Sequence, residues 1–252
     1  MQLGAVTYNV LKDMDVETII KTLEAAGLTA VELRTEHKHG VEPSLGPGER
    51  QKVKARFAAS KVRLLSLGST CEFHSPDPAV RRKQVETGKQ FVDLAHDLGA
   101  WGVKVRPNGF PKEVPREQTV QNIGACLREL GEYGKGRGVE IWLEVHGRET
   151  QEPAAAAAIM RATKHPNAGL CWNSNAPDVI NGSVRQNFDL LRPWIKNCHI
   201  NELVSGYPYR ELFTLLQKSG YDRYTLAELQ ENPQPVRFLS YYRALWTELC
   251  RP

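Results

Sequence analysis

The segment Val139-Glu-Ile-Trp-Leu-Glu144 is the first of four short apolar runs, each of which ends on a side chain that can bind a metal ion. The other three runs are Ala168-Gly-Leu-Cys-Trp-Asn173, Ile195-Lys-Asn-Cys-His199 and Tyr224-Thr-Leu-Ala-Glu228. Their last residues lie about 26 to 29 positions apart, which is the length of one strand, one helix and two short loops. The pattern predicts repeated strand–helix units that carry oxygen or nitrogen ligands at the strand ends.

The same alternation of strands and helices extends over the whole chain. Strand candidates begin near Leu3, Ala30, Val62, Gly102, Val139, Ala168, Ile195 and Tyr224. Helical patterns cover Val16–Ala26, Gly48–Ser60, Ala79–Leu98, Glu117–Lys135, Pro153–Lys164, Val184–Leu191, Tyr209–Lys218 and Pro235–Leu249. Several of these helices end just before a glycine, which supplies a left-handed C-cap. Eight such units predict an α/β fold that closes into a (β/α)₈ barrel, with a doubly wound open sheet as the poorer alternative.

Composition indicates one globular domain over residues 1–252. Hydrophobic residues make up 41% and charged residues 25%, so a large core can form. The net charge of +4 with dispersed Lys and Arg favours solubility, allows an anionic ligand and is weak evidence for nucleic acid. No apolar run approaches 18 residues, and no signal-like segment precedes the first strand, so we expect a cytoplasmic protein without a membrane partner. A homo-oligomer is compatible with the sequence.

The strand ends carry charges that need a partner. Glu144, His199 and Glu228 follow apolar runs that should be buried, where an ionised carboxylate is costly unless it is paired or bound to a cation. Two converging carboxylates would also repel each other, and a divalent ion removes that conflict. A simpler interpretation pairs the carboxylates with Arg106 or Arg148 and makes His199 a core histidine. The common phase of the residues on consecutive strands favours the metal site.

These segments resemble the xylose-isomerase-like TIM barrels, a superfamily that contains sugar isomerases and epimerases, dehydratases and a branch of DNA-repair endonucleases. The most specific motifs are Leu143-Glu-Val-His146, Cys198-His-Ile200 and Gly220-Tyr-x-x-Tyr-x-Leu-Ala-Glu228, and the resemblance begins at Val31-Glu-Leu33. It implies one divalent ion, Mn²⁺, Co²⁺, Mg²⁺ or Zn²⁺, with a ligand set carried over to this chain. The implied ligands are Glu144, Asn173, His199 and Glu228.

The chain departs from the family pattern after its sixth strand. The family commonly has Asp, two residues and then His, whereas this chain reads Asn173-Ser-Asn-Ala176. Asparagine still offers a carbonyl oxygen, but it removes one negative charge and cannot act as a carboxylate base. After His199, Glu202 stands where the family usually has Asp. These differences keep open a barrel with a degenerate metal site and no catalysis.

Further polar residues are predicted to bind substrate at the same mouth. Lys104 and Arg106 end the fourth strand, where either could bind a hydroxyl, carboxylate or phosphate group. An outward-facing Lys104 is equally compatible with the pattern. Glu32 ends the second strand, and the simpler interpretation pairs it with Arg34. The remaining candidates, which could also be hydrogen-bonded or solvated loop residues, are His37, His39, His146 and Glu202.

The resemblance implies an isomerase or epimerase that acts on a small sugar, keto-sugar or related polyol by removing a proton next to a carbonyl. Glu144 and Glu228 would serve as base and acid on opposite sides of that carbon. A lyase or dehydratase starts with the same proton abstraction, so the isomerase and the lyase interpretations require the same metal-binding residues. An endonuclease is disfavoured because its zinc cluster needs additional histidines, and the fourth strand here ends in Arg106.

Overall fold

Eight parallel strands close into a barrel in the order of the chain, and the computed structural model describes residues 1–251. The strands are β1 (Gln2–Val6), β2 (Ala30–Arg34), β3 (Arg63–Glu72), β4 (Gly102–Arg106), β5 (Glu140–Glu144), β6 (Ala168–Asn173), β7 (Ile195–Ile200) and β8 (Tyr224–Ala227). The barrel closes where β8 pairs with β1, from the register of Gln2 with Tyr224 to that of Ala5 with Ala227. The predicted single-domain barrel is confirmed, and the open-sheet alternative is excluded.

A helix follows each strand and packs on the outside of the barrel. The helices are α1 (Val16–Ala26), α2 (Pro47–Ala58), α3 (Pro78–Leu98), α4 (Arg116–Lys135), α5 (Pro153–Thr163), α6 (Arg185–Leu191), α7 (Tyr209–Lys218) and α8 (Pro235–Leu249). These bounds agree with the predicted ones to within two residues. Gly27 and Gly99 follow their helices with φ of 75° and 77°, the left-handed C-caps that the sequence indicated. Within residues 1–251, no helix combines the length and apolarity needed to cross a bilayer.

The interior of the barrel has an apolar lower layer. It consists of Val6, Ala30, Leu65, Trp142, Cys171, Tyr224 and Leu226. Trp142 fits there because β4 carries Gly102 beside it, and a Cβ at that glycine would lie 2.6 Å from the indole ring. Since alternate residues of a strand face the same side, the residue two positions after Trp142, Glu144, points inward one layer higher. The apolar layer therefore forms a floor beneath polar strand ends.

Candidate active site

The carboxyl ends of the strands surround a polar cavity of about 420 Å³. It is the mouth of the barrel, where barrel enzymes carry their active sites. Most of the predicted site residues line it: Lys104, Arg106, Glu144, His146, Asn173, Glu202 and Glu228. A larger cavity of about 740 Å³ lies on the outer surface between α4 and α5, away from these residues. The mouth, and not this outer cavity, therefore gathers the predicted site residues.

Glu144, His199 and Glu228 form a carboxylate–histidine group on the floor of this cavity. One potential ligand atom from each residue lies within 4.8 Å of the others. Nδ1 of His199 is 3.7 Å from Oε1 of Glu144 and 3.6 Å from Oε2 of Glu228. Asn173 lies at the edge of the group, with Nδ2 3.5 Å from Oε1 of Glu144. The fold thus brings all four implied metal ligands together.

The carboxylate–histidine group has the properties of a cation site. Nδ1 of His199 and Oδ1 of Asn173 are buried and lack a hydrogen-bond partner within the described part of the chain. A buried polar atom without a partner costs about 1–3 kcal/mol, and a cation at this point would bind both atoms. Carboxylate and amide oxygens together with one imidazole nitrogen suit Mn²⁺, Co²⁺, Zn²⁺ or Mg²⁺. The residues present therefore fit a divalent ion.

Glu32 lies beneath His199 inside the barrel, one layer below the cavity. Its side chain is fully buried, with Oε1 3.3 Å from Nε2 of His199, and the hydroxyl of Ser66 donates to Oε2 at 2.8 Å. Burial alone would raise the pKa of Glu32, but His199 and Lys104 outweigh it and lower the pKa. Glu32 therefore neither faces the cavity nor pairs with an arginine. It lies instead on the Nε2 side of the imidazole, opposite the Nδ1 atom that faces the two carboxylates, and the contact is electrostatic because neither Oε1 nor Nε2 has a hydrogen-bond partner among the described residues.

Lys104 places a positive charge directly beside the carboxylate–histidine group. Its Nζ lies 2.7 Å from Oε2 of Glu144, and the two side chains are only 5% and 4% exposed. Burial alone would raise the pKa of Glu144, but Lys104 and His199 hold it well below the usual range. The lysine thus faces inward, and the alternative of an outward-facing Lys104 is excluded. Glu144 is consequently ionised and shares its oxygens between Lys104 and the group.

Arg106, His146 and Glu202 stand higher in the wall of the cavity. A guanidinium nitrogen of Arg106 lies 2.7 Å from Oε1 of Glu72, so this arginine does not pair with Glu144 or Glu228. Nδ1 of His146 is buried and makes no hydrogen bond to residues 1–251. Partial burial raises the pKa of Glu202. All three side chains are in position to contact a ligand in the cavity.

His37 and His39 lie in the loop between β2 and α2, outside the lining of the cavity. Nδ1 of His37 is 3.0 Å from the hydroxyl of Thr7, and burial lowers the pKa of His37 to about 4. The ring of His39 bonds the carbonyl of Arg34 at 2.8 Å and accepts the backbone N–H of Val41 at 3.0 Å. Both histidines stabilise the loop with these bonds, which explains why neither reaches the cavity.

Sequence reasoning missed several residues of the cavity wall. Tyr8, two residues after β1, and Arg34, the last residue of β2, line it, although the sequence suggested Arg34 only as a partner of Glu32. Glu144 and Glu228 were located as polar residues at the ends of apolar runs. The same criterion would have found Arg34, because Arg34 closes the apolar run of β2. Four amide side chains complete the wall: Gln151, Asn175, Asn201 and Gln230. They follow the strands in loops, where sequence alone does not indicate the direction of a side chain.

Comparisons with known proteins agree with the fold. The family model for the xylose isomerase-like TIM barrel matches residues 20–239, whereas no curated protein matches the chain. D-psicose 3-epimerase from Clostridium cellulolyticum H10 superposes with a TM-score of 0.86 at 14% identity, covering 100% of both chains. The 3-keto-D-glucoside 4-epimerase from E. coli gives 0.82 at 12% identity, covering 98% of this chain and 99% of that one.

A third solved structure, the IolI protein with a binding zinc atom, has a TM-score of 0.74 at 17% identity and covers 99% of this chain and 96% of its own. At these identities the structural likeness concerns the fold alone. The family model, in contrast, spans most of the sequence, from α1 into α8. It covers β5 to β8 and therefore all members of the carboxylate–histidine group. The chain belongs to the xylose isomerase-like TIM barrel family.

Proposed function

We propose that this protein is a divalent-metal-dependent isomerase or epimerase that removes a proton next to the carbonyl of a small sugar, keto-sugar or related polyol. The observation that carries the proposal is the carboxylate–histidine group on the floor of the cavity. The solved epimerases that share the fold support the same reaction class. Within a cavity of about 420 Å³, a molecule the size of a monosaccharide would be largely enclosed.

Four side chains would hold the ion, namely Glu144, Asn173, His199 and Glu228. A bound divalent ion supplies stabilisation of the negative charge that develops on substrate oxygens when the proton leaves. The negative charge of Glu32, 3.3 Å from Nε2 of His199, would favour the imidazole orientation in which Nδ1 faces that position. Lys104 keeps Glu144 ionised, so this carboxylate is in the form that accepts a proton.

Of the two carboxylates, Glu228 is better placed than Glu144 to exchange a proton with the substrate. It lines the cavity, and its side chain is 16% exposed compared with 4% for Glu144. One of its oxygens lies 3.6 Å from His199, whereas Glu144 is also engaged by Lys104. We therefore assign Glu228 and Glu144 as the acid–base pair that removes the proton and returns it.

A dehydratase or another lyase is the second candidate function. It would begin with the same proton abstraction and then expel a hydroxyl group from the neighbouring carbon. The observation in its favour is Glu202, which lines the cavity and whose pKa is raised by partial burial. A carboxyl group of that kind can protonate a departing hydroxyl. The mass of the product separates the two functions, because only the lyase releases water.

Solvent deuterium exchange tests the proposal. The Mn²⁺-loaded protein is incubated in D₂O with D-psicose, D-tagatose, D-fructose, D-fructose 6-phosphate and 5-keto-D-gluconate. The masses of the recovered compounds are then measured by mass spectrometry. We expect at least one of them to gain one carbon-bound deuterium. Glu144→Gln and Glu228→Gln should each suppress this exchange, because an amide cannot accept the proton. Glu17→Gln, on the exposed surface of α1, is the matched control and should leave the exchange unchanged.

Two outcomes would contradict proton abstraction at carbon. The first is the absence of exchange in every compound despite bound Mn²⁺. The second is a turnover product that contains no solvent deuterium, which would indicate an intramolecular hydride shift. A product that is lighter by one water and carries deuterium would support proton abstraction at carbon and would identify the protein as a lyase.

A further inference from the structure

The wall of the cavity is divided by charge. Its cationic side chains, Arg34, Lys104 and Arg106, belong to β2 and β4. The carboxylates that line it, Glu144, Glu202 and Glu228, come from β5 and from the segments that follow β7 and β8. Because neighbouring strands of the barrel are consecutive in the chain, the cations occupy one side of the mouth. A ligand that spans the cavity therefore meets the carboxylate–histidine group at one end and positive charge at the other.

Two of the three cations are already neutralised. Lys104 lies 2.7 Å from Glu144, and Arg106 lies 2.7 Å from Glu72. Arg34 differs, because its guanidinium lies over the ring of Tyr8, 5.2 Å from the centroid, and forms no salt bridge with any carboxylate of residues 1–251. The arginine is thus held by an aromatic face while its hydrogen-bond donors stay free. This leaves one uncompensated positive charge in the cavity wall.

The space around Arg34 is open to a ligand. Gly68 of β3 stands between Arg34 and Lys104 in the sheet, in register with both residues. It carries no side chain, and the space beside it holds Oε1 of Glu32, 2.9 Å from where a Cβ would lie, so no side chain of β3 separates the two cations at this level. Nε of Arg106 is buried and has no hydrogen-bond partner among the described residues. A ligand oxygen on this side could therefore bind donors that the protein itself leaves unpaired.

We infer that the substrate carries a carboxylate, which Arg34 binds on the β2–β4 side of the cavity while the reacting carbon lies at the carboxylate–histidine group. The planar guanidinium matches the two oxygens of a carboxylate, and one uncompensated charge balances one negative charge. The inference rests on the proposed function for the reaction, and it narrows the substrate to keto-sugar acids in place of neutral sugars.

Equilibrium binding to the metal-free protein tests this inference independently of catalysis. The probes are 5-keto-D-gluconate, D-fructose 6-phosphate and D-fructose, titrated calorimetrically at constant ionic strength. We expect 5-keto-D-gluconate to bind at least about tenfold more tightly than D-fructose, as one charge-assisted hydrogen-bonded pair allows. Arg34→Gln should remove most of that difference, and Arg34→Lys should restore it in part. Arg237→Gln is the matched control, because Arg237 also lies over a tyrosine, Tyr241, but on α8 outside the cavity.

Each outcome of the titration has a defined meaning. Equal affinity for 5-keto-D-gluconate and D-fructose, no detectable binding of the keto acid, or an unchanged preference in Arg34→Gln would overturn the inference. Tighter binding of D-fructose 6-phosphate than of the keto acid, lost in Arg34→Gln, would overturn the carboxylate and assign the subsite to phosphate. The proposed function fails separately, through the absence of deuterium exchange. Arg34-dependent binding of the keto acid without deuterium exchange would support the anion subsite and contradict the proposed isomerase reaction.

Discussion

Single residues at the bottom of the cavity determine how its charges are balanced. Lys104 contacts one oxygen of Glu144 at 2.7 Å, while the other oxygen faces His199 and Asn173. The protein therefore carries an internal cation next to the position proposed for the metal ion. Asn173 also lowers the metal affinity, because an amide supplies an oxygen without a negative charge. These two residues should tune the metal affinity and the stability of the metal-free protein.

Removing the lysine tests this charge balance. Lys104→Met leaves the carboxylate of Glu144 buried without its closest cation, so the metal-free protein should lose about 3–5 kcal/mol of unfolding free energy. Saturating Mn²⁺ should return more stability to this variant than to the wild type, since the ion then takes over the role of the ammonium group. Urea unfolding with and without Mn²⁺ measures both effects.

Lys196→Met is the matched control for this experiment. Lys196 pairs with Glu140 at 2.9 Å, at the other end of β5 from Glu144. Its loss should lower stability without changing the gain from Mn²⁺. An equal Mn²⁺ gain in Lys104→Met and the wild type would contradict this role of Lys104.

Restoring the carboxylate after β6 tests the role of Asn173. Asn173→Asp adds a negative charge beside Glu144, and Mn²⁺ affinity should rise by about an order of magnitude, or about 1.4 kcal/mol. The metal-free variant should be less stable than the wild type because its carboxylates repel each other. Asn201→Asp adds the same charge elsewhere in the cavity wall and should change the affinity much less. Calorimetric titration compares the two, and unchanged affinity in Asn173→Asp would place Asn173 outside the ligand set.

At the scale of elements, the sequence predicted helices better than strand lengths. Helix ends could be predicted because local signals mark them, such as the left-handed glycines Gly27 and Gly99. The third strand was harder, because it runs for ten residues to Glu72 and its register with β4 shifts between Gly68 and Glu72. A shift of this kind depends on the neighbouring strand, so no pattern within β3 indicates that Glu72 will meet Arg106.

The loop after β6 contains a buried acid that the sequence did not indicate. The hydroxyl of Tyr207 and the backbone N–H of Asn175 donate to Oδ2 of Asp178 at 2.9 and 2.8 Å. Burial nevertheless raises the pKa of Asp178 to about 7. Asp178 therefore connects the β6–α6 loop, which lines the cavity through Asn175, with the segment that precedes α7.

The raised pKa makes the stability of this loop depend on pH. An aspartate in the unfolded chain titrates near 4, so between about pH 4 and 7 the folded state holds a proton that the unfolded state has lost. The contribution is therefore complete below about pH 4, and the free energy of unfolding falls by on the order of 4 kcal/mol as pH rises to about 7. Asp178→Asn should flatten that decline in urea unfolding from pH 5 to 8. The exposed control Asp222→Asn should keep it, and equal slopes in Asp178→Asn and the wild type would contradict the assignment.

At the scale of the whole molecule, closure of the barrel brings the candidate site together. Glu144, Asn173, His199 and Glu228 could be selected from sequence because each ends an apolar strand in the same phase. The contact of Glu32 with His199 joins β2 and β7 across the interior, and it depends on the stagger of the closed barrel. The alternation of β2 does place Arg34 one layer above Glu32 on the same face, but the contact with His199 could not be derived from β2 alone.

Calorimetric titration of the metal-free protein with Mn²⁺ tests the central claim most directly, because it needs no knowledge of the substrate. We predict that one ion binds per chain, that Glu228→Gln abolishes this stoichiometric binding, and that Glu202→Gln retains it. Both variants remove a carboxylate from the same cavity, but only Glu228 belongs to the carboxylate–histidine group. Absence of stoichiometric binding in the wild type, or equal binding by Glu228→Gln, would contradict the metal site.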